Sequence, residues 1–151
     1  HHDYDSIDEG EIASHATFMS YVANEGLAKQ VLQIGVRGLS WGAPVAPTAI
    51  DLIDIRDLSS RLLPDTDVYI TIDTDAFDPS IAPGVSYPVP NGLTARDLMD
   101  VLNQIRGANV RIAGCDWVEF NPRFDSANHV TARFIVQGLA HVVSAMDMPT
   151  A

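Results

Sequence analysis

Three apolar runs of β type punctuate the chain: Val31 to Val36, Val68 to Ile72 and Val110 to Val118. Their apolarity is continuous rather than alternating, the pattern of strands covered on both faces, as in a parallel sheet between helices. Helical periodicity fills the intervals. Thr94 is a good N-cap with Asp97 three positions on, and Leu98, Val101, Leu102 and Ile105 follow at helical spacing before Gly107, which predicts a helix that packs on the sheet. A second helix is predicted from about His129 to Ala145, with Ile135, Leu139, Val142 and Val143 on one face. Phe18 to Asn24 and Asp57 to Leu63 predict shorter ones. Strands alternating with helices argue an α/β fold. The Gly- and Pro-rich stretches Gly38 to Pro47 and Asp78 to Gly92 are expected to be long loops, the usual carriers of a site at strand ends.

At 151 residues with 46% hydrophobic content, the chain is expected to form one globular domain with a sizeable core. It has no run of 18 apolar residues, and it opens with two histidines and an aspartate where a signal peptide would need a basic and then an apolar stretch. A soluble, cytoplasmic protein is the expectation. Cys115 is the single cysteine and lies in an apolar run, so it reads as a small buried hydrophobe. Nine basic residues against twenty acidic ones give a net charge of −11, which opposes a broad grip on nucleic acid or an anionic membrane and favours cationic ligands or metals.

The segment from Tyr69 to Gly84 carries the chemistry. An apolar strand ends in Asp73-Thr-Asp75, placing two carboxylates at i and i+2 on one side of the strand where the chain leaves the sheet. Two such carboxylates repel unless a cation lies between them, and oxygen donors suit manganese or magnesium. A lone Asp-x-Asp more often just begins a solvated turn. His1, His2, Asp3 and Asp5 form a second cluster, whose mixed nitrogen and oxygen donors favour manganese, iron or zinc over calcium. Alone, the two histidines read equally well as the remnant of a purification tag. Trp41 and Tyr87 are candidates to line a pocket, Trp117 to pack in the core, and His129 and His141 are expected to be structural or surface residues.

Taken in order, these segments resemble the ureohydrolase family of arginases and agmatinases over nearly the whole chain. The resemblance rests on Asp73-x-Asp75, Pro79, Pro83-Gly84 and Gly92 at the family's spacing. His1-His2-Asp3 is similar to the end of an Asp-Ala-His-x-Asp motif, His15-Ala-Thr17 to a His-Gly-Thr, and Gln33-Ile-Gly-Val-Arg37-Gly38 to a family strand. Asp116-Trp-Val-Glu119-Phe-Asn121-Pro122 is similar to the end of its last strand. Thr74, Ala16 and Asn91 depart from the usual residues, and the segment between Ile50 and Asp67 is short of one helix.

The resemblance implies a three-layer arginase-type fold, with the chain as the carboxyl-terminal portion of a single domain. It implies that His1, Asp3, Asp73 and Asp75 bind manganese, two ions in the complete enzyme, with Asp73 bridging them. The family's two other ligands, in an upstream Gly-Gly-Asp-His and in the first Asp of Asp-Ala-His-x-Asp, precede His1. It further implies that the metals activate water against a guanidinium carbon, that Glu119 pairs with the guanidinium, and that His15 moves a proton to the leaving amine. A homo-oligomer, trimeric or hexameric, is implied as well. His15-Ala-Thr17 resembles agmatinases more than formiminoglutamases, and four carboxylates between Asp5 and Glu11 would attract the ammonium tail of agmatine. Agmatine is therefore the expected substrate, ahead of a guanidino acid or arginine. A non-catalytic remnant with a role in assembly is the alternative from another class.

Overall fold

The computed structural model describes residues 14–38 and 50–146. The chain divides into two compact units between Asp54 and Ile55, and each is described in turn.

In the first unit, helix α1 (Phe18–Asn24) follows a turn in which Ser14 and Thr17 bond to one another, the Thr17 Oγ1 accepting from the Ser14 N–H at 2.9 Å. Strands β1 (Val31–Gln33) and β2 (Ile50–Leu52) pair in parallel, Val31 opposite Ile50. Met19 and Ile50 are buried here, with Val22, Ala23 and Val31 packed against them. The strand expected over Val31 to Val36 ends early at Gln33, because Gly35 takes a φ of 80°, which no strand accommodates. β2 was not predicted, since Ile-Asp-Leu is too short to show a period.

The second unit carries the larger core. A 3-10 turn (Ile55–Asp57) leads into α2 (Leu58–Arg61), shorter than the helix predicted from Asp57 to Leu63. Strand β3 (Asp67–Asp73) pairs in parallel with β4 (Arg111–Val118), and helix α3 (Ala95–Gly107) runs between them in sequence. Helix α4 (Val130–Met146) follows. The predicted α3 start is borne out in detail: Thr94 accepts from the Asp97 N–H while the Asp97 carboxylate accepts from the Thr94 N–H, a reciprocal cap.

Ile70 and Ile72 of β3 project into a core with Cys115 and Trp117 of β4, Leu98 and Leu102 of α3 and Phe134 and Val142 of α4. Leu102 and Val142 are completely buried. Truncating a leucine so placed costs about 2–5 kcal/mol. The opposite face of the ladder is polar: Tyr69 and Thr71 both donate to the Asp116 carboxylate, at 3.1 and 2.6 Å. Parallel pairing puts the carboxyl ends of β3 and β4 side by side, so the Asp-x-Asp segment and Glu119 leave the ladder at one edge.

Candidate metal and substrate site

Asp73 is the last residue of β3 and lies opposite Val118, the last of β4. Glu119 is therefore the first residue beyond the partner of Asp73. The Asp73 carboxylate accepts from the Asp75 N–H at 2.8 Å and caps a short 3-10 turn, Thr74–Ala76. That turn sets both carboxylates at the strand end, each half-buried. Glu119 is exposed and has a φ of 58°, a left-handed conformation that a residue with a Cβ takes at a cost of roughly 1–2 kcal/mol. The twist turns the chain sharply away from β4. Strain of this kind gathers where surrounding structure overrides it, and at functional sites in particular.

The loop between β3 and α3 is closed at its base and pinned at its tip. Leu93 donates to Ala76 and its carbonyl accepts from Asp78, both at 2.9 Å. Asp78 holds the rest: its carboxylate accepts from the N–H groups of Ser80 at 3.0 Å and Gly92 at 3.2 Å. The Ser80 hydrogen bonds, with those of Gly92 and Asn91, hold its pKa down at about 2. At the tip, the Gly84 N–H donates to the buried Thr131 hydroxyl at 2.9 Å and its carbonyl accepts from Asn121 at 2.7 Å. A Cβ on Gly84 would stand 3.0 Å from both the Phe120 ring and the Thr131 hydroxyl, so glycine lets the backbone pass close against these two side chains.

Thr131 in turn sits in the first turn of α4. Asp125 accepts from the Thr131 and Ala132 N–H groups, at 3.0 and 3.1 Å, and so satisfies the helix start from outside it. Burial would raise the Asp125 carboxyl, but these donors and Ser126 outweigh it and hold the group below its ordinary range. Neither Thr131 nor Asp125 was singled out from the sequence. Both act across long separations or outside the usual capping positions, where no local pattern marks them.

Of the residues expected in the site, Asp73, Asp75 and Glu119 are brought to one edge of the second unit. His15 lies in the first unit, exposed in the turn before α1. His1 and Asp3 lie outside the described residues, as do Trp41 and the acidic segment from Asp5 to Glu11. Among the described residues no group of three or more His, Cys, Asp or Glu side chains gathers for a metal ion. The donors present, the carboxylates of the last strand residue Asp73 and of Asp75 in the 3-10 turn after it, fit a hard divalent cation completed by ligands from elsewhere. Trp117 packs against Phe77 and Phe134, as expected of a core residue, while Tyr87 is 74% exposed. His129 and His141 are exposed.

The arginase family model matches residues 1–144. The chain belongs to the arginase family. An arginase described as mitochondrial from Medicago truncatula is 34% identical over 144 residues, covering 87% of this chain and 40% of that protein. An agmatinase from Chromobacterium violaceum is also 34% identical, covering 80% of this chain and 39% of its own. Among solved structures, the Medicago truncatula arginase matches with a TM-score of 0.70 at 30% identity over 95% of this chain and 48% of that one. A hypothetical agmatinase from Burkholderia thailandensis gives 0.77 at 25% identity, over 96% and 48%. The chain thus has the arginase-type fold and spans less than half the length of these relatives. Among the described residues no helix is long and apolar enough to cross a membrane.

Proposed function

We propose that this chain carries the greater part of the site of a manganese-dependent ureohydrolase, which cleaves a guanidino compound, agmatine first, into urea and an amine. The observation that carries the reading is the placement of Asp73 and Asp75 at the end of β3, beside the end of β4 from which Glu119 emerges. The family membership supports it. Asp73 and Asp75, with His1 and Asp3, would hold the metal ions, Asp73 shared between them. Bound manganese supplies Lewis acidity that brings the pKa of water toward neutrality.

The chain's own residues do the rest. Glu119 offers a planar carboxylate whose two oxygens match two N–H groups of a guanidinium, which fixes the carbon to be attacked. As the new C–O bond forms, the C–N bond to the leaving amine breaks, and that nitrogen needs a proton. His15 would deliver it, an imidazole nitrogen being able to hold a proton and donate it to an amine. Arginine is a second reading, favoured by the plant arginases among the relatives at 34% and 36% identity. A cytoplasmic location and a trimeric or hexameric assembly are part of the proposal.

Two measurements test it. Elemental analysis of the complete enzyme should find manganese, and Asp73→Ala should lose both ions or nearly so, because a shared ligand serves two centres. Unchanged metal content with full urea release would remove Asp73 from the site. Urea release by the full-length enzyme from agmatine, arginine and 4-guanidinobutyrate at equal concentration should rank agmatine first. Arginine in that place would replace the substrate assignment, and no urea from any of them would leave the assembly role.

A further inference from the structure

We infer that Thr74 is a positioning residue, whose hydroxyl locks the Asp73-Asp75 pair to the strand end that presents Glu119. Thr74 stands between the two aspartates and is completely buried. Its Oγ1 donates to the Val118 carbonyl at 2.6 Å and accepts from the Trp117 Nε1–H at 3.1 Å. A hydroxyl has one proton, and here it is committed to the carbonyl next to Glu119. One side chain therefore joins the turn carrying both carboxylates to the residues just before the proposed guanidinium anchor.

The indole end of this clip is itself fixed. Trp117 stacks on Phe77 at 6.0 Å between ring centroids and meets Phe134 edge-on at 5.6 Å. Its far edge rests on α4 at Gly138, where a Cβ would stand only 2.3 Å from the ring, so any other residue would expel it. A glycine in the middle of a helix costs stability, and the indole seat is what it provides. Ladder hydrogen bonds between β3 and β4 end at Asp73 and Val118, and the Thr74 hydroxyl continues the tie one residue further. An apolar side chain of the same shape would fill the space and make neither bond. Valine at 74 would also remove the partner of the half-buried indole N–H and of the Val118 carbonyl, and with it the tie between the turn and the end of β4.

The kinetic consequence rests on the proposed function; the clip itself does not. Displacements on the order of 1 Å between catalytic groups cost up to about 100-fold in rate. Thr74→Val, which keeps the shape and removes the hydroxyl, is expected to lower kcat/KM for urea release by roughly 10–100-fold and to weaken Mn²⁺ binding measured by calorimetry. Thr74→Ser keeps the hydroxyl and should restore most of both. A folded Thr74→Val with wild-type kcat, KM and Mn²⁺ affinity would overturn the inference, as would a Thr74→Ser impaired as deeply as Thr74→Val, since packing alone would then explain both. If Thr74→Val fails to fold, Trp117→Phe takes its place: a reduced kcat with a retained cooperative melt supports the clip, and unchanged kinetics overturns it. This chain has two tryptophans, Trp41 and Trp117, whose indole N–H signals can be followed in nitrogen-15 spectra. Slow solvent exchange of the Trp117 signal in the wild type, lost in Thr74→Val, reads the clip independently of catalysis. If the full-length wild type releases no urea and binds no Mn²⁺, the proposed function fails, while unchanged indole exchange in Thr74→Val overturns the clip alone.

Discussion

The two ends of the β3–β4 ladder treat their carboxylates in opposite ways. At the amino ends, Asp67 is met by the Arg111 guanidinium through two N–H donors, and Asp65 by the Asn109 side-chain amide at 2.8 Å. Each charge or dipole there has a local answer. At the carboxyl ends, Asp73 is held by the Asp75 N–H, and Asp78 by the N–H groups of Ser80 and Gly92. The stretch from Asp67 to Ala95 contains no lysine or arginine at all. Backbone N–H groups orient a carboxylate. One end of the ladder is thus closed by a side-chain ion pair, while at the other the carboxylates of Asp73 and Asp78 are oriented by backbone N–H groups. The division follows the general placement of sites at the carboxyl ends of parallel strands.

Glu119 gives the comparison its hardest test. Glu119→Gln keeps the size and the left-handed turn but removes the charge for the guanidinium, so kcat should fall by orders of magnitude while manganese content stays near the wild-type value. Glu119→Gly separates strain from function. Glycine accepts a φ of 58° freely, so this variant should gain about 1 kcal/mol in denaturant unfolding while its turnover is abolished. A variant that loses turnover and gains stability identifies Glu119 as a residue kept for chemistry at a structural cost. Wild-type kinetics in Glu119→Gln would place the anchor elsewhere and dissolve the functional asymmetry of the two ends.

What was legible in the sequence follows the same division. Local signals were readable: Thr94 with Asp97 foretold the α3 cap, Val68 to Ile72 and Val110 to Val118 foretold β3 and β4 to within a residue at each end, and Phe18 to Asn24 foretold α1. The Asp73-x-Asp75 pair was legible as a motif, but not for the reason expected: β3 ends at Asp73 and Asp75 sits in the 3-10 turn that Asp73 caps, so the turn and not strand alternation sets the two carboxylates. The residues that hold the site in place were not legible. Thr131 meets Gly84 across 47 positions, and Thr74 meets Trp117 across 43. Such pairs exist only once the strands are in register. Thr74 was visible only as a departure from an apolar pattern, and its reason lies in an indole on the next strand. β1 fell short because Gly35 turns the backbone, and β2 is too brief for any periodicity to form.

Acid sharpens the comparison at the carboxyl end. Asp78 is held at about 2, below an ordinary value of 3.8, by hydrogen bonds from Ser80 first and then Gly92 and Asn91. A carboxyl whose folded pKa lies below its unfolded one stabilises the fold above the unfolded value, and loses that contribution as pH falls through the folded one. Its contribution should therefore be complete at pH 5 and should fade between about 4 and about 2. Denaturant midpoints at pH 5, 4, 3 and 2 should fall more steeply in the wild type than in Asp78→Asn, which has no charge to lose. Parallel curves would mean that the loop after β3 does not depend on this carboxylate.

The smallest effect is expected at the amino end. Arg111 and Asp67 are 66% and 58% exposed in their side chains, and water screens a pair so open. Exposed pairs contribute about 0–1 kcal/mol, and less as salt rises, so Asp67→Asn should shift the denaturant midpoint slightly at low ionic strength and hardly at all in 1 M salt. Urea release should not change, because Asp67 lies six residues down the strand from Asp73, some 20 Å at about 3.3 Å per residue. A large loss of activity in Asp67→Asn with an unchanged melt would break the comparison, since it would mean that the paired end transmits strain along β3 to Asp73 and Asp75. A salt-dependent shift confined to stability would instead fix the division: at one end of the ladder charge serves the fold, and at the other the fold serves charge.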